Sequence, residues 1–172
     1  MRFKVRFVTT KGEFVVEATR ALAPRGVDRF YRLVQIRFFD GAAFFRVVKG
    51  FVVQFGMRGN PQVAAAWSTK TIKSDPVRES NRRGYLTHAK SSGPDTRSTQ
   101  MFINLTNNLP LDQQGFAPFA TVVSGMEVVD QLYGGYGEEL TAKQPTIQQQ
   151  GNLFLRREYP RLDYIKSASI VR

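Results

Sequence analysis

Two polar side chains stand out because of what surrounds them. The stretch Phe44–Gly56 reads F-F-R-V-V-K-G-F-V-V-Q-F-G, and it sets a guanidinium, Arg46, and an amide, Gln54, into an otherwise apolar hairpin. A guanidinium keeps its proton in proteins and offers five donors in a rigid fork. Arg46 is therefore no base and no nucleophile, but it can hold a hydrogen-bond acceptor in a fixed direction. Burying it bare is costly, so it either anchors an ion pair or faces a cleft. Two further stretches carry polar groups among apolar ones: Ser98–Asn104 (S-T-Q-M-F-I-N) and Leu111–Phe119 (L-D-Q-Q-G-F-A-P-F). Taken singly, Phe51 and Phe102 read as core residues, and Gln54 reads as an amide bonded to a loop.

Other chemistries lack their parts. There is no cysteine and only one histidine, His88. That excludes a disulfide framework, a thiol nucleophile, a zinc knuckle and a two-histidine metal site. His88 sits in Tyr85–Ala89, a predicted strand with no nucleophile elbow beside it, and reads as structural. No phosphate-binding G-x-x-x-x-G-K-[ST] loop is present, and Gly134-Gly135-Tyr136-Gly137 follows a helix rather than a strand. Asn104-Leu105-Thr106 matches a glycosylation sequon but ends an apolar strand, which makes it a chance match.

Charge is unevenly spread. The formal net charge is +11, yet residues 1–100 hold 19 Lys+Arg and 7 Asp+Glu, while residues 101–172 hold 6 and 7. The whole excess lies in the first part of the chain. It is either a solvated basic face or a patch for an acidic partner such as nucleic acid, anionic lipid or an acidic protein. No run of consecutive basic residues exceeds two, which favours the solvated face.

The elements that must position these residues are mostly short strands. Arg2–Thr9 alternates, with Phe3, Val5 and Phe7 on one face. A turn at Thr10-Lys11-Gly12 returns it as a second strand over Phe14–Ala18. Pro24 opens a helix in which Val27, Phe30, Tyr31 and Val34 form one apolar stripe. Asp40-Gly41 turns the chain into the hairpin, where Phe44, Arg46 and Val48 would share a strand face. Residues 57–83 read as an irregular surface excursion with Trp67 as its anchor. Strands recur at Tyr85–Ala89, Gln100–Leu105, Phe119–Ser124 and Ile165–Val171. A second helix runs over Met126–Tyr133, capped by Ser124, and a helical turn falls near Pro160–Tyr164. The length suits one domain, residues 1–172. The fold class is mainly β: a closed antiparallel eight-stranded barrel capped by two α-helices, with a sandwich as the alternative.

The three stretches, in this order and spacing, resemble the cyclophilin-type peptidyl-prolyl cis-trans isomerases. Phe44–Gly56 meets the family pattern F-x-R…G-F-x-x-Q-x-G. Gly93–Ile103 meets G-P-x-T-x-x-S/T-Q-F-F-I, with Met101 for the first Phe. Leu111–Asp130 meets the L-D…F-G-x-V-x-x-G-M-x-V-V-D block, with Ala120 for the usual Gly. The helix opening, Ala23–Phe30, looks most like the bacterial-type branch. The resemblance implies that Arg46 donates toward the proline nitrogen, that Gln54 holds the carbonyl side, and that Gln100 buttresses Arg46. It implies a proline slot formed by Phe51, Phe102 and Leu111 with Val52 on its rim, and backbone pairing of the substrate near Ala89 and Lys90. No cofactor or metal is required, because no bond breaks.

Two departures stand out. Phe116 occupies the position where many members carry a histidine, and Pro110 stands where they carry a tryptophan just before the leucine. In the family that tryptophan contacts cyclosporin, so weak or no binding of the drug is expected. The expected substrates are proline-containing peptides and exposed loops of proteins. A non-catalytic docking module for an acidic partner or a larger assembly is the rival reading. No large apolar stripe is left over, so a monomer is expected. Met1–Phe7 has no apolar leader region, so the cytoplasm is the expected compartment for the chain as written, unless a targeting segment has been removed.

Overall fold

The computed structural model describes residues 1–172. Eight strands form one antiparallel sheet: β1 (Arg2–Thr9), β2 (Gly12–Thr19), β3 (Arg46–Val48), β4 (Val52–Phe55), β5 (Tyr85–His88), β6 (Met101–Asn104), β7 (Pro118–Ser124) and β8 (Ile165–Ile170). Their spatial order is β3-β4-β6-β5-β7-β2-β1-β8. The sheet curls into a half-barrel and stays open, which corrects the closed barrel expected from sequence. β3 is only three residues long. The chain just before it, not β3 itself, crosses to β8, through the bridge Ala43↔Tyr164 and the bond from the Ile165 N–H to the Ala42 carbonyl at 2.8 Å.

Alternation builds the core. Val5, Phe7, Phe14, Val16 and Ala18 point inward from β1 and β2, and Phe7 stacks on its cross-strand partner Phe14 with centroids 4.9 Å apart. Helix α1 (Pro24–Gln35) closes one end with Val27, Phe30, Leu33 and Val34 buried. Leu33 replaces Tyr31 in the expected stripe, and Tyr31 packs edge-on against Phe3 at 5.1 Å. Phe44 and Phe45 precede β3 and enter two different cores, so the expected face of Phe44, Arg46 and Val48 breaks before Arg46.

Helices are more numerous than the two expected. Within the supposed excursion, α2 (Pro61–Ser68) is capped by Asn60, whose Oδ1 accepts from the Gln62 N–H at 2.9 Å. Trp67 packs edge-on against Phe38 at 5.7 Å and anchors this segment. Short helices follow at α3 (Pro110–Gln113) and α4 (Met126–Asp130). The cap of α4 is Gly125 at φ +83°, not Ser124. The longest helix, α5 (Gln144–Glu158), bends at Gly151 and buries Ile147, Phe154 and Leu155 in a second core with Phe45, Tyr159 and Leu162. Pro160 and Arg161 form a turn, not a helix, and Tyr164 already bridges Ala43.

Candidate active site

The pleat gives β4 and β6 two faces. Val53, Phe55, Met101 and Ile103 point into the main core. Val52, Gln54 and Phe102 point the other way, outside the barrel and apart from that core. Register then lines up the polar row: Arg46 lies opposite Gln54 on the β3–β4 ladder, and Gln54 lies opposite Phe102 on the β4–β6 ladder. Adjacent strands are roughly 4.8 Å apart, so the row is compact.

A cleft of about 260 Å³ opens over this row. Nine of the ten residues singled out from sequence line it: Arg46, Phe51, Val52, Gln54, Ala89, Lys90, Phe102, Leu111 and Phe116. The tenth, Gln100, lies behind Gln54 in an adjoining polar cleft of about 380 Å³. Phe116 meets Phe102 edge-on at 5.7 Å, and the Lys90 ammonium sits 4.8 Å from the Phe116 ring centre. The Ala89 N–H is bonded to the Gln100 carbonyl at 2.9 Å. The β5–β7 ladder ends at Thr87↔Pro118, so the opposite edge of Ala89-Lys90 has no strand beside it.

The polar groups form one directed chain. Arg46 Nη1 donates to Gln54 Oε1 at 2.8 Å, Gln54 Nε2 donates to Gln100 Oε1 at 2.8 Å, and Gln100 Nε2 donates to Gln144 Oε1 at 3.1 Å. Because arginine only donates, it sets the orientation of every amide downstream. Gln100 thus supports Gln54 and reaches Arg46 only through it. On its other side Arg46 binds Glu138 with two bonds, Nε to Oε1 at 2.6 Å and Nη2 to Oε2 at 2.8 Å. The hydrogen bonds from Arg46, outweighing partial burial and aided by the Thr141 hydroxyl, lower the Glu138 carboxyl to about 2.

Glu138 and Gln144 escaped the sequence reading, because the segment after α4 matches no motif quoted above. A buried amide network behind the slot escaped it too. Asn108 donates to the Phe51 carbonyl at 3.0 Å and to Asn104 Oδ1 at 2.8 Å. Asn81 donates to the Phe116 carbonyl at 3.0 Å and to Asp112 Oδ1 at 2.7 Å. Burial would raise the Asp112 carboxyl, but bonds from Ser80 and Asn81 outweigh it and hold it below its usual range. The Phe51 and Phe116 carbonyls are therefore held by polar side chains that never enter the cleft. Asn104 is fully buried in this network and is no glycosylation acceptor. His88 is buried beneath α1, with Nε2 against the Gly26 carbonyl at 2.9 Å, far from Arg46 in role.

Residues 4–151 match the family model described as cyclophilin type peptidyl-prolyl cis-trans isomerase/CLD. The chain belongs to this family. Among curated relatives, this cyclophilin is 32% identical over 134 residues to a peptidyl-prolyl cis-trans isomerase of Acinetobacter baylyi, covering 74% of this chain and 70% of that one. It is 32% identical over 139 residues to peptidyl-prolyl cis-trans isomerase B of Escherichia coli, covering 76% of this chain and 84% of that one. A crystal structure of a Cryptosporidium parvum cyclophilin-type isomerase superposes with a TM-score of 0.74 at 18% identity, covering 100% of this chain and 99% of that one, and supports the shared fold. This cyclophilin is thus a peptidyl-prolyl cis-trans isomerase acting on proline-containing peptides. Nothing in its structure or its relatives favours the non-catalytic docking module.

Proposed function

We propose that Arg46 and Gln54 carry the isomerisation, over a proline slot formed by Phe51, Phe102, Leu111 and Phe116 with Val52 on its rim. The X–Pro bond rotates against a barrier of roughly 18–20 kcal/mol set by amide resonance. At the top of that barrier the proline nitrogen is no longer conjugated, becomes pyramidal, and gains a lone pair able to accept a hydrogen bond. In the planar ground state it accepts none. A donor aimed at that nitrogen therefore binds the twisted state selectively, which is what lowers a barrier. Arg46 suits this task. Three of its five N–H groups are taken by Glu138 and Gln54, leaving one on each Nη. Gln54 keeps one amide N–H beyond its bond to Gln100, and that N–H serves the carbonyl side of the substrate. The aromatic slot excludes water and strengthens both bonds. The free edge at Ala89-Lys90 takes the extended peptide by strand addition. The observation that carries this reading is the Arg46–Gln54–Phe102 row above a single cleft. A protease-coupled assay on a short X–Pro peptide tests it: Arg46→Ala should lose on the order of 10²–10³ in kcat/KM. Equal activity in the two proteins defeats it.

A second reading concerns the surplus charge. Arg25, Arg29, Arg32 and Lys73 line a shallow groove on the outer face of α1, and the one acid there, Asp28, is already bonded to Arg20 at 2.8 and 2.9 Å. Lys70 and Arg29 lie over the Trp67 ring at 5.6 and 5.2 Å. This cluster supports an anionic partner at a site away from the proline slot. A single-stranded oligonucleotide titrated at rising salt should show steeply falling affinity, and no binding near physiological salt removes the nucleic-acid form of this reading.

A further inference from the structure

The chain delivers Glu138 to Arg46 by a backbone contact. After α4, Lys49 Nζ holds the Asp130 and Leu132 carbonyls at 2.8 and 2.9 Å, tying this stretch to the β3–β4 turn. Gly137 then bridges Val47 on the outer edge of β3. Val47 is the neighbour of Arg46, so the residue after Gly137 arrives beside the guanidinium. The carboxylate is itself fixed, since Thr141 Oγ1 donates to Glu138 Oε1 at 2.8 Å and the Thr141 N–H to the Glu138 carbonyl at 3.0 Å.

We infer that Glu138 is a positioning residue for the isomerisation, clamping the Arg46 guanidinium so that its two unused N–H groups stay aimed into the cleft. The inference rests on the catalytic reading of Arg46 and extends it to a residue outside the motifs discussed above. An arginine side chain has many rotamers, and one partner does not fix it. Here the Nε–Nη2 edge is bound twice by Glu138, Nη1 is bound by Gln54, and the ring of Phe51 lies 5.6 Å from the guanidinium carbon. Three of its sides are taken, and the free N–H groups are what the clamp leaves. The carboxylate also offsets the arginine's charge, which would weaken an interaction with an anion. The proline nitrogen is neutral in the twisted state, so direction matters more than net charge, and a clamped donor meets it without reorganising. Being held at about 2, the carboxyl stays ionised through the neutral range and the clamp does not titrate there.

The experiment is steady-state kinetics on one X–Pro peptide for wild type, Glu138→Gln, Glu138→Ala and Arg46→Ala, with the Arg46 Nε–Hε resonance followed by NMR in the first three. Both Glu138 variants should lose roughly tenfold in kcat with KM within about twofold, because a misaimed donor costs the twisted state and not the bound peptide. The Nε–Hε proton should lose its protection from exchange while the backbone spectrum keeps its dispersion. A kcat within twofold of wild type, or above it, overturns the inference, as does a loss confined to KM. If Arg46→Ala itself matches wild type, it is the catalytic reading of Arg46 that fails, and the clamp with it.

Discussion

Arg46 and Gln54 stand directly opposite one another on β3 and β4, and the first donates to the second at 2.8 Å. A one-residue slip of this ladder would send one of them to the core face. The hairpin register therefore matters to the catalytic role we propose for this pair as much as the side chains do, and changes that disturb it should be felt at the site.

Gly56 is one such point. It directly follows β4 at φ +111°, and a Cβ there would meet the Thr99 carbonyl and lie 2.7 Å from Gln100 Cα. Gly56→Ala should destabilise the fold by about 2 kcal/mol or more. It should also lower kcat/KM by displacing Gln100 and, through it, Gln54. Urea midpoints and the peptide assay check both effects.

The amide network behind the slot makes a different prediction. Asn108→Ala leaves the Phe51 carbonyl and Asn104 Oδ1 without that donor, at a cost of about 1–3 kcal/mol. Because Phe51 lines the cleft proposed to take the proline and Arg46 is untouched, the kinetic effect should appear mainly in KM.

Acid should weaken the fold in two windows. Burial, the largest influence, acts with the nearby Arg97 and Arg29 guanidiniums, outweighs the Gly26 carbonyl and Asp75, and lowers His88 from 6.5 to about 4. Between those values the unfolded chain binds a proton that the folded chain refuses, so stability falls as pH drops from 6.5 toward 4. The slope should not exceed about 1.4 kcal/mol per pH unit. Below that window the depressed carboxyls of Asp28, Asp130 and Glu138 become protonated and their contributions are lost in turn. Denaturant titrations from pH 7.5 to 4.5 should show the first slope in wild type and a flatter one in His88→Gln.

Pro110, standing where related chains carry the tryptophan expected to contact cyclosporin, predicts the response to the drug. Inhibition titrations should show weak or no inhibition of the wild-type enzyme. Phe116→His should keep isomerase activity within severalfold, because the Arg46–Gln54–Phe102 row does not depend on that side chain.

The parts of this cyclophilin that are legible in its sequence have two causes. β1, β2 and α1 bury one face at a regular period, whereas β4 and β6 are buried throughout, so the stretches of Arg46, Gln54 and Phe102 are legible through their motifs and not through alternation. α5 was hidden because its glutamine-rich first half has few apolar positions, and Gly151 breaks the helical period with φ +64° where Asn152 binds the Gly59 carbonyl at 3.1 Å. α2 carried a readable Asn60-Pro61 start, but its alanines give no amphipathic stripe. Glu138 was invisible for a different reason: it reaches Arg46 through a contact between residues 92 positions apart in the chain. Sheet closure was misread because strand count does not determine whether the terminal strands pair.

The most direct measurement is the isomerisation rate constant of a single X–Pro peptide, read by NMR exchange, with wild type, Arg46→Ala and Arg46→Lys at equal concentration and each shown to be folded. Exchange should be strongly catalysed by wild type and fall on the order of 10²-fold or more with both variants, the lysine failing because it keeps the charge without the fork. Catalysed exchange within a few-fold of wild type in Arg46→Ala would contradict the role proposed for Arg46.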